Sequence, residues 1–295
     1  MPPSGVAAPE PQAYSQPLPS RQALWSIGAL TLGFGWLYWP VLAKLSADWS
    51  ADPNYSHGVI VAPLALYFAW GRRDALGAAA LRPSIVLGTL LIGFGLLLLL
   101  AGVRGAELFL QRVSMLPVLA GIVVLVLGTR HLRLLLFPLA FLLLMIPLPA
   151  ILFNQVTFPL QLLASRFGES VLGVAGVPAL REGNLILLPY TTLVGVEACS
   201  GIRSLISLLT VAVAFTYIQG MRPIAGSLVV LSTIPLAIAM NGVRVAGTGL
   251  AAHHYGPRVA DGFLHGFSGW LVFVATCAAL LLVARLVERV LPGGR

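Results

Sequence analysis

The stretch that decides the fold is residues 84–103, SIVLGTLLIGFGLLLLLAGV. It contains no charged residue over its whole length. An α-helix needs about 20 mostly apolar residues to cross the hydrocarbon core of a bilayer. This stretch therefore predicts a transmembrane helix.

The composition of the whole chain agrees with a membrane protein. Of 295 residues, 58% are apolar and 9% are charged, and the mean hydropathy is +0.92. Soluble domains carry about 25% charged residues, so a soluble fold is excluded. The net charge is +8, but the arginines stand singly or in pairs between apolar runs, as in cytoplasmic loops. Membrane lipids, and not nucleic acid, are therefore the expected partners of these charges.

Apolar runs of sufficient length recur along the chain and predict an all-α polytopic protein with about eight transmembrane helices. The predicted spans are 24–43, 57–71, 84–103, 110–128, 133–152, 201–220, 223–243 and 264–287. Residues 1–22, rich in Pro, Ser and Ala, predict a disordered cytoplasmic leader. Residues 23–290 then form a single transmembrane domain, and residues 291–295 form a cytoplasmic tail.

The segment 153–200 connects the fifth and sixth predicted spans. Residues 154–175 mix large apolar and polar residues, which favours a helix lying in the membrane interface. Two short β-prone runs follow, Leu185–Leu188 and Thr191–Val194, separated by Pro189-Tyr190. This pattern predicts a short β-hairpin.

The orientation follows from the basic residues near the span ends. One side of the predicted topology holds ten of the 18 basic residues: Arg21, Arg72, Arg73, Arg82, Arg130, Arg133, Arg222, Arg285, Arg289 and Arg295. We therefore predict that this side and both termini are cytoplasmic. The same topology puts Cys199, Arg244 and His265 at the outer boundary, each at the end of a different span.

A thiol, a guanidinium and an imidazole make a workable set for acyl transfer. The thiolate of Cys199 would be the nucleophile, and a neighbouring histidine can take its proton. Arginine stays protonated and so cannot be a base, but it can hydrogen-bond the oxyanion of a tetrahedral intermediate. Alternatively, Cys199 is a packed residue and Arg244 extends to lipid phosphates. Cys277 lies among Ala and Leu within a span, which is typical of packing.

Other polar residues have less specific interpretations. Arg203 lies one turn after Cys199 and could orient a carboxylate or a lipid headgroup, whereas His57 could bind substrate or cap a helix. His253 and His254, with Asp261 and His265 nearby, could form a metal site, but adjacent histidines point in different directions. The sequence therefore predicts no metal site and no cofactor.

Four motifs resemble those of the exosortase family, which includes the archaeosortases. They are DPNYSHG at 52–58, ACSGIRS at 198–204, NGVR at 241–244 and HG at 265–266. The similarity runs from about residue 24 to 288. The resemblance implies a multi-pass inner-membrane protein of Gram-negative bacteria with its active site on the periplasmic side.

The resemblance also implies an activity, that of a cysteine transpeptidase or protease. The implied substrates are secreted proteins with a C-terminal tail made of a Pro-Glu-Pro motif, an apolar span and an Arg-rich end, in a context of exopolysaccharide production and biofilm. The implied catalytic residues are Cys199, Arg244 and His265. Residues expected to bind substrate or support the site are Arg203, Ser200, Asn241, His57, Tyr55, Glu197 and Arg181.

Three other functions compete with a cysteine mechanism. A non-enzymatic subunit of polysaccharide export or assembly would explain the spans and leave Cys199 as packing. A serine protease would use Ser200. A metal-dependent intramembrane protease would need an H-E-x-x-H motif, which the sequence lacks. The acceptor, the particular substrates and the oligomeric state do not follow from the sequence.

Overall fold

The computed structural model describes residues 21–189, 191–194, 201–256 and 263–291, and most of these residues are helical. The helices are α1 (Arg21–Ala51), α2 (Gly58–Trp70), α3 (Arg73–Ala78), α4 (Ile85–Arg104), α5 (Leu108–Val113), α6 (Met115–Val126), α7 (Thr129–Phe141), a short 3-10 helix (Leu142–Met145), α8 (Ala150–Val174), α9 (Gly201–Ile218), α10 (Pro223–Tyr255) and α11 (Phe263–Val290). Three short strands, β1 (Leu180–Glu182), β2 (Leu185–Leu188) and β3 (Thr191–Val194), form an antiparallel sheet in that order.

Within the described residues, four helical segments are long and apolar enough to cross a membrane. They are Ile85–Arg104, Leu108–Val126, Pro223–Tyr255 and Gly269–Val290. A fifth candidate is the pair Thr129–Met145 and Ala150–Val174, which is bent by 79° at its break. The chain is therefore a mostly helical, multi-pass membrane protein, but the predicted eight spans are not confirmed.

One of the unconfirmed spans has a clear physical reason. The second predicted span, 57–71, folds as the 13 residues of α2. A helix of that length is about 20 Å long, which is less than the thickness of the hydrocarbon core. α9 has 18 residues and α1 has 31, so their lengths allow a crossing and both predicted spans stay predictions.

Glycines bring α4 and α6 into close contact. Gly88, Gly95 and Gly102 recur every seven residues on the buried face of α4. A Cβ at Gly95 would lie 2.5 Å from Cγ2 of Val118 and 2.9 Å from the carbonyl oxygen of Ser114. Small residues allow such close approach where lipid supplies no hydrophobic drive for helix association. The opposite face of α4 is apolar and exposed, as expected for contact with lipid: Leu90, Phe94 and Leu97 are among its exposed side chains.

The predicted segment between the fifth and sixth spans is confirmed in outline. The predicted helix 154–175 is α8, whose position relative to a membrane remains a prediction. The predicted hairpin is β2 and β3, in which Ile186 pairs with Leu193. The sequence-based prediction missed β1. The chain turns from β1 to β2 at Gly183, where φ is +65°, a conformation that glycine adopts without strain.

Candidate functional site

The centre of the candidate site is a buried arginine on α10. Asn241 and Arg244 are each only 8% exposed. α8 crosses α10 at this level: a Cβ on Gly242 would clash with the ring of Phe167, and a Cβ on Gly168 would lie 2.8 Å from Cγ1 of Val245. The close packing of α8 on α10 therefore shields Asn241 and Arg244 from solvent.

The guanidinium of Arg244 lies against α11. A Cβ built on Gly269 would be 3.4 Å from Nη2 and 3.5 Å from Cζ of Arg244. The planar group is thus within van der Waals reach of α11 at this position. Gly269 follows His265 by four residues, which is about one helical turn, so the two positions share one face of α11. The structure describes His265 only as a helical residue in the first turn of α11.

The predicted nucleophile lies just before α9. Cys199, Ser200 and Glu197 fall outside the described residues. Cys199 precedes the first residue of α9 by two positions in the sequence. α9 packs along α10 and also touches α8 and α11. The helix that follows Cys199 is therefore a direct neighbour of the helices that carry Arg244 and His265.

Arg203 stands in the first turn of α9. Its Nε is buried and has no hydrogen-bond partner in the part of the chain that the structure describes. A buried guanidinium nitrogen without an acceptor is costly. Arg203 is thus a cation, four residues after Cys199, whose Nε–H has no acceptor among the described residues.

Arg181, the other predicted carboxylate reader, is already engaged. Its Nε donates to Oε2 of Glu169 at 3.1 Å, and its Nη1 donates to the carbonyl of Gly183 at 2.8 Å. These contacts tie β1 to α8. Asn184 reinforces the attachment, since its carbonyl accepts a hydrogen bond from Ser165 at 3.2 Å.

The DPNYSHG motif lies near the N-terminal end of α8, where it contacts the short 3-10 helix that precedes the break. Nε2 of His57 donates to the carbonyl of Leu144 at 3.1 Å, and Nε1 of Trp49 donates to the carbonyl of Met145 at 3.0 Å. His57 stands at the N-cap position of α2, but its side chain makes no capping hydrogen bond. The motif fastens the loop between α1 and α2 to the break that precedes α8.

Tyr55 belongs to the same cluster and is distant from Arg244. Its ring centroid is 6.0 Å from that of Phe153, near the start of α8. Phe167, which lies against Gly242 of α10, follows Phe153 by 14 residues, or about 21 Å along the helix. The structure thus brings together Asn241, Arg244 and the helix face of His265, and it places Tyr55 and His57 elsewhere.

An ion pair that sequence reasoning missed lies beside this motif. Arg112 is only 3% exposed, and its Nη2 pairs with Oδ2 of Asp48. The other oxygen of that carboxylate, Oδ1, accepts a hydrogen bond from Nζ of Lys44 at 2.8 Å. Burial alone would raise the pKa of Asp48, but the hydrogen bonds from Lys44 and Arg112 outweigh it and hold that pKa below its usual range. The available signal was a charged residue, Arg112, at the edge of a long apolar run.

The remaining candidates are His253, His254, Asp261 and Cys277. The rings of His253 and His254 are 5.1 Å apart and perpendicular. Among the described residues no three His, Cys, Asp or Glu side chains come close enough to hold a metal ion. Asp261 lies outside them. Cys277 packs against the apolar cluster that contains Leu280, in agreement with its interpretation as a packing residue.

Comparison with known proteins identifies the family. The family model described as transmembrane exosortase (Exosortase_EpsH) matches residues 49–282. No curated protein and no solved structure matches the chain significantly. The matched range covers most of the chain and contains the DPNYSHG, ACSGIRS, NGVR and HG motifs. The chain therefore belongs to the transmembrane exosortase family.

Proposed function

We propose that this protein is a membrane-embedded cysteine transpeptidase or protease that removes the C-terminal sorting tail of secreted proteins. The observation that carries the proposal is the setting of Arg244. It is buried on α10 and its guanidinium faces α11 one turn from the position of His265. The neighbouring α9 begins two residues after Cys199. Family membership supports the same set of residues.

The proposed mechanism gives each residue one role. The thiolate of Cys199 attacks the scissile carbonyl, and His265 accepts the thiol proton and returns it to the leaving amine. Arg244 donates hydrogen bonds to the oxyanion of the tetrahedral intermediate, a contribution worth about 3–4 kcal/mol. The start of α9 favours the thiolate through the helix dipole. Collapse of the intermediate leaves a thioester, which water or an amine resolves.

Membrane-anchored substrates fit this location of the site. A tail with an apolar span would diffuse in the bilayer to the protein, and its Arg-rich end would stay in the cytoplasm. The scissile motif would then be held at the depth of Cys199. We propose that the protein resides in the bacterial inner membrane, that the site faces the periplasm and that both termini are cytoplasmic.

The orientation can be tested by labelling single cysteines. In a background without native cysteines, Glu182→Cys in β1 is expected to react with a membrane-impermeant maleimide added from the periplasmic side. Arg73→Cys, at the start of α3, is expected to react only after the membrane is opened. Both positions are exposed, so burial does not explain a difference between them. The reverse pattern would overturn the proposed orientation.

Co-expression with a tailed substrate tests the activity itself. We expect the wild-type protein to convert the substrate to a shorter form without its apolar tail, as seen by a mass shift in intact-protein mass spectrometry. The competing function, a non-enzymatic subunit of polysaccharide export, predicts an unchanged substrate and a polysaccharide defect on deletion. An unprocessed substrate in cells that contain correctly inserted protein would count against the enzyme.

Arg203 is the proposed reader of the glutamate in the Pro-Glu-Pro motif. The buried Nε of Arg203 has no acceptor among the described residues, whereas Arg181 is engaged with Glu169 and Gly183. A substrate carboxylate would supply the missing acceptor through charge-assisted hydrogen bonds. Arg203 is therefore a better candidate than Arg181 for binding the carboxylate of the substrate.

This assignment predicts different effects of two matched substitutions. Arg203→Gln is expected to slow processing of a Pro-Glu-Pro substrate by about tenfold or more, because a hydrogen bond to a charged group contributes about 1.5–3 kcal/mol. Arg181→Gln is expected to leave the rate within about threefold, since it affects the attachment of β1 to α8. Rates are compared for substrates with Glu and with Gln in the motif. Equal sensitivity of the wild type and Arg203→Gln to that substrate change would refute recognition by Arg203.

A further inference from the structure

A cavity of about 550 Å³ lies where α7, α9 and α10 meet. Its lining is amphiphilic. One part is apolar and includes Phe137, Val230 and Leu231, and the other part presents Arg222 and the hydroxyl groups of Tyr217, Thr216 and Ser227. A site with these two parts suits a ligand that has both an apolar chain and a polar head.

The cavity and the candidate active site lie at opposite ends of the helices. α9 runs from its start near Cys199 to Ile218 beside the cavity, a length of about 27 Å. α10 begins at Pro223 in the cavity wall and reaches Arg244 after about 32 Å. Both distances match the thickness of the hydrocarbon core of a bilayer. The cavity therefore opens at the membrane surface opposite the candidate active site.

Two arginines converge on the polar part of the cavity. Arg222 lines it directly, is exposed, and forms no ion pair with any carboxylate that the structure describes. Arg72 approaches from α2: its Nε donates to the hydroxyl of Tyr217 at 3.0 Å, and its Cζ lies 5.6 Å from the centroid of that ring. Tyr217 is itself held by stacking on Phe137 at 3.6 Å between centroids. Positive charge and the hydroxyl of Tyr217 thus lie at the same part of the cavity, while the hydroxyl of Thr216 donates to the carbonyl of Val213 at 3.1 Å.

We propose that this cavity binds an anionic phospholipid, with the headgroup phosphate between Arg222 and the hydroxyl groups and one acyl chain along Val230 and Leu231. Basic pockets between transmembrane helices are suited to such headgroups. The phosphate would also face the first turn of α10, where the helix dipole favours an anion. A free phosphate ion would leave the apolar part of the cavity unfilled.

The proposal is tested by lipid titration of the full-length protein in a neutral detergent. Phosphatidylglycerol is expected to raise the thermal-unfolding midpoint at lower concentrations than phosphatidylcholine does, and inorganic phosphate is expected to have no effect. Arg222→Gln is expected to weaken the response to phosphatidylglycerol about tenfold. Arg104→Gln removes the same charge from the exposed end of α4, away from the cavity, and is expected to respond like the wild type.

A second variant tests the cavity by steric block. Ser227→Trp fills the polar part of the cavity without removing a charge and is expected to abolish the preference for phosphatidylglycerol over phosphatidylcholine. Binding by this variant is counted by native mass spectrometry, which does not depend on activity. The proposal is overturned if both lipids act equally on the wild type, if inorganic phosphate reproduces the effect, or if Arg222→Gln and Ser227→Trp both bind phosphatidylglycerol like the wild type.

Discussion

Replacement of Cys199 by alanine is expected to abolish processing of a tailed substrate while the protein remains in the membrane at its normal level. No covalent intermediate can form without the thiol, so the expected loss is at least about a thousandfold. The measurement is the fraction of shortened substrate after co-expression, compared at equal amounts of membrane protein.

The chain offers a matched control for this change. Cys277→Ala also removes one thiol, but Cys277 packs against an apolar cluster within α11 and its loss is expected to leave processing unchanged. Cys199→Ser keeps a similar volume and tests whether a hydroxyl suffices. Processing by Cys199→Ala together with inactivity of Ser200→Ala would replace the cysteine mechanism by a serine mechanism.

The helical class of the fold followed from local composition. The run at 84–103 folds as α4, Ile85–Arg104, because twenty uncharged, mostly apolar residues in a row have one stable solution in a bilayer. Among the spans that were not confirmed, the second folds as α2, which at 13 residues is too short to cross the hydrocarbon core. Length and hydropathy measure whether a helix can cross, but packing against neighbours decides how short or bent segments fold.

Contacts between distant residues were the part that the sequence did not reveal. Arg181 and Arg203 looked alike as candidate cations, but the pairing of Arg181 with Glu169 depends on how β1 lies on α8. The pair of Arg112 and Asp48 joins residues 64 positions apart. Such partners are set by helix packing, which apolar periodicity does not encode. The motif at 52–58 had a recognisable sequence, but its attachment to the break before α8 required the structure.

The candidate site itself was predicted in part. The topology put Arg244 and His265 near one boundary, and the structure adds the contact of Arg244 with Gly269. A glycine in an apolar helix has several possible roles, so the role of Gly269 can be assigned only from the residue that packs against it. At Gly269 the planar guanidinium of Arg244 lies so close to α11 that a Cβ there would be in van der Waals contact with it.

Arg244→Lys is therefore expected to lose most activity although the charge is kept. The guanidinium is planar, presents several donors in a fixed arrangement and fits the space beside Gly269, whereas an ammonium group is a compact, strongly hydrated point charge. Loss of a directed oxyanion donor corresponds to about a hundredfold to a thousandfold in rate. The measurement is the rate of thioester formation or substrate shortening at equal membrane levels.

Two further variants accompany this change. Gly269→Ala would put a Cβ 3.4 Å from Nη2 of Arg244, an ordinary van der Waals contact, so we expect the guanidinium to stay in place and the rate to stay close to that of the wild type. Arg166→Lys, an exposed position on α8, is the control and is expected to be fully active. An Arg244→Lys protein with the wild-type rate would reduce Arg244 to a point charge that lowers the pKa of the thiol. In that case the oxyanion would need donors from another part of the chain, and backbone N–H groups at the start of α9 would be the first to test.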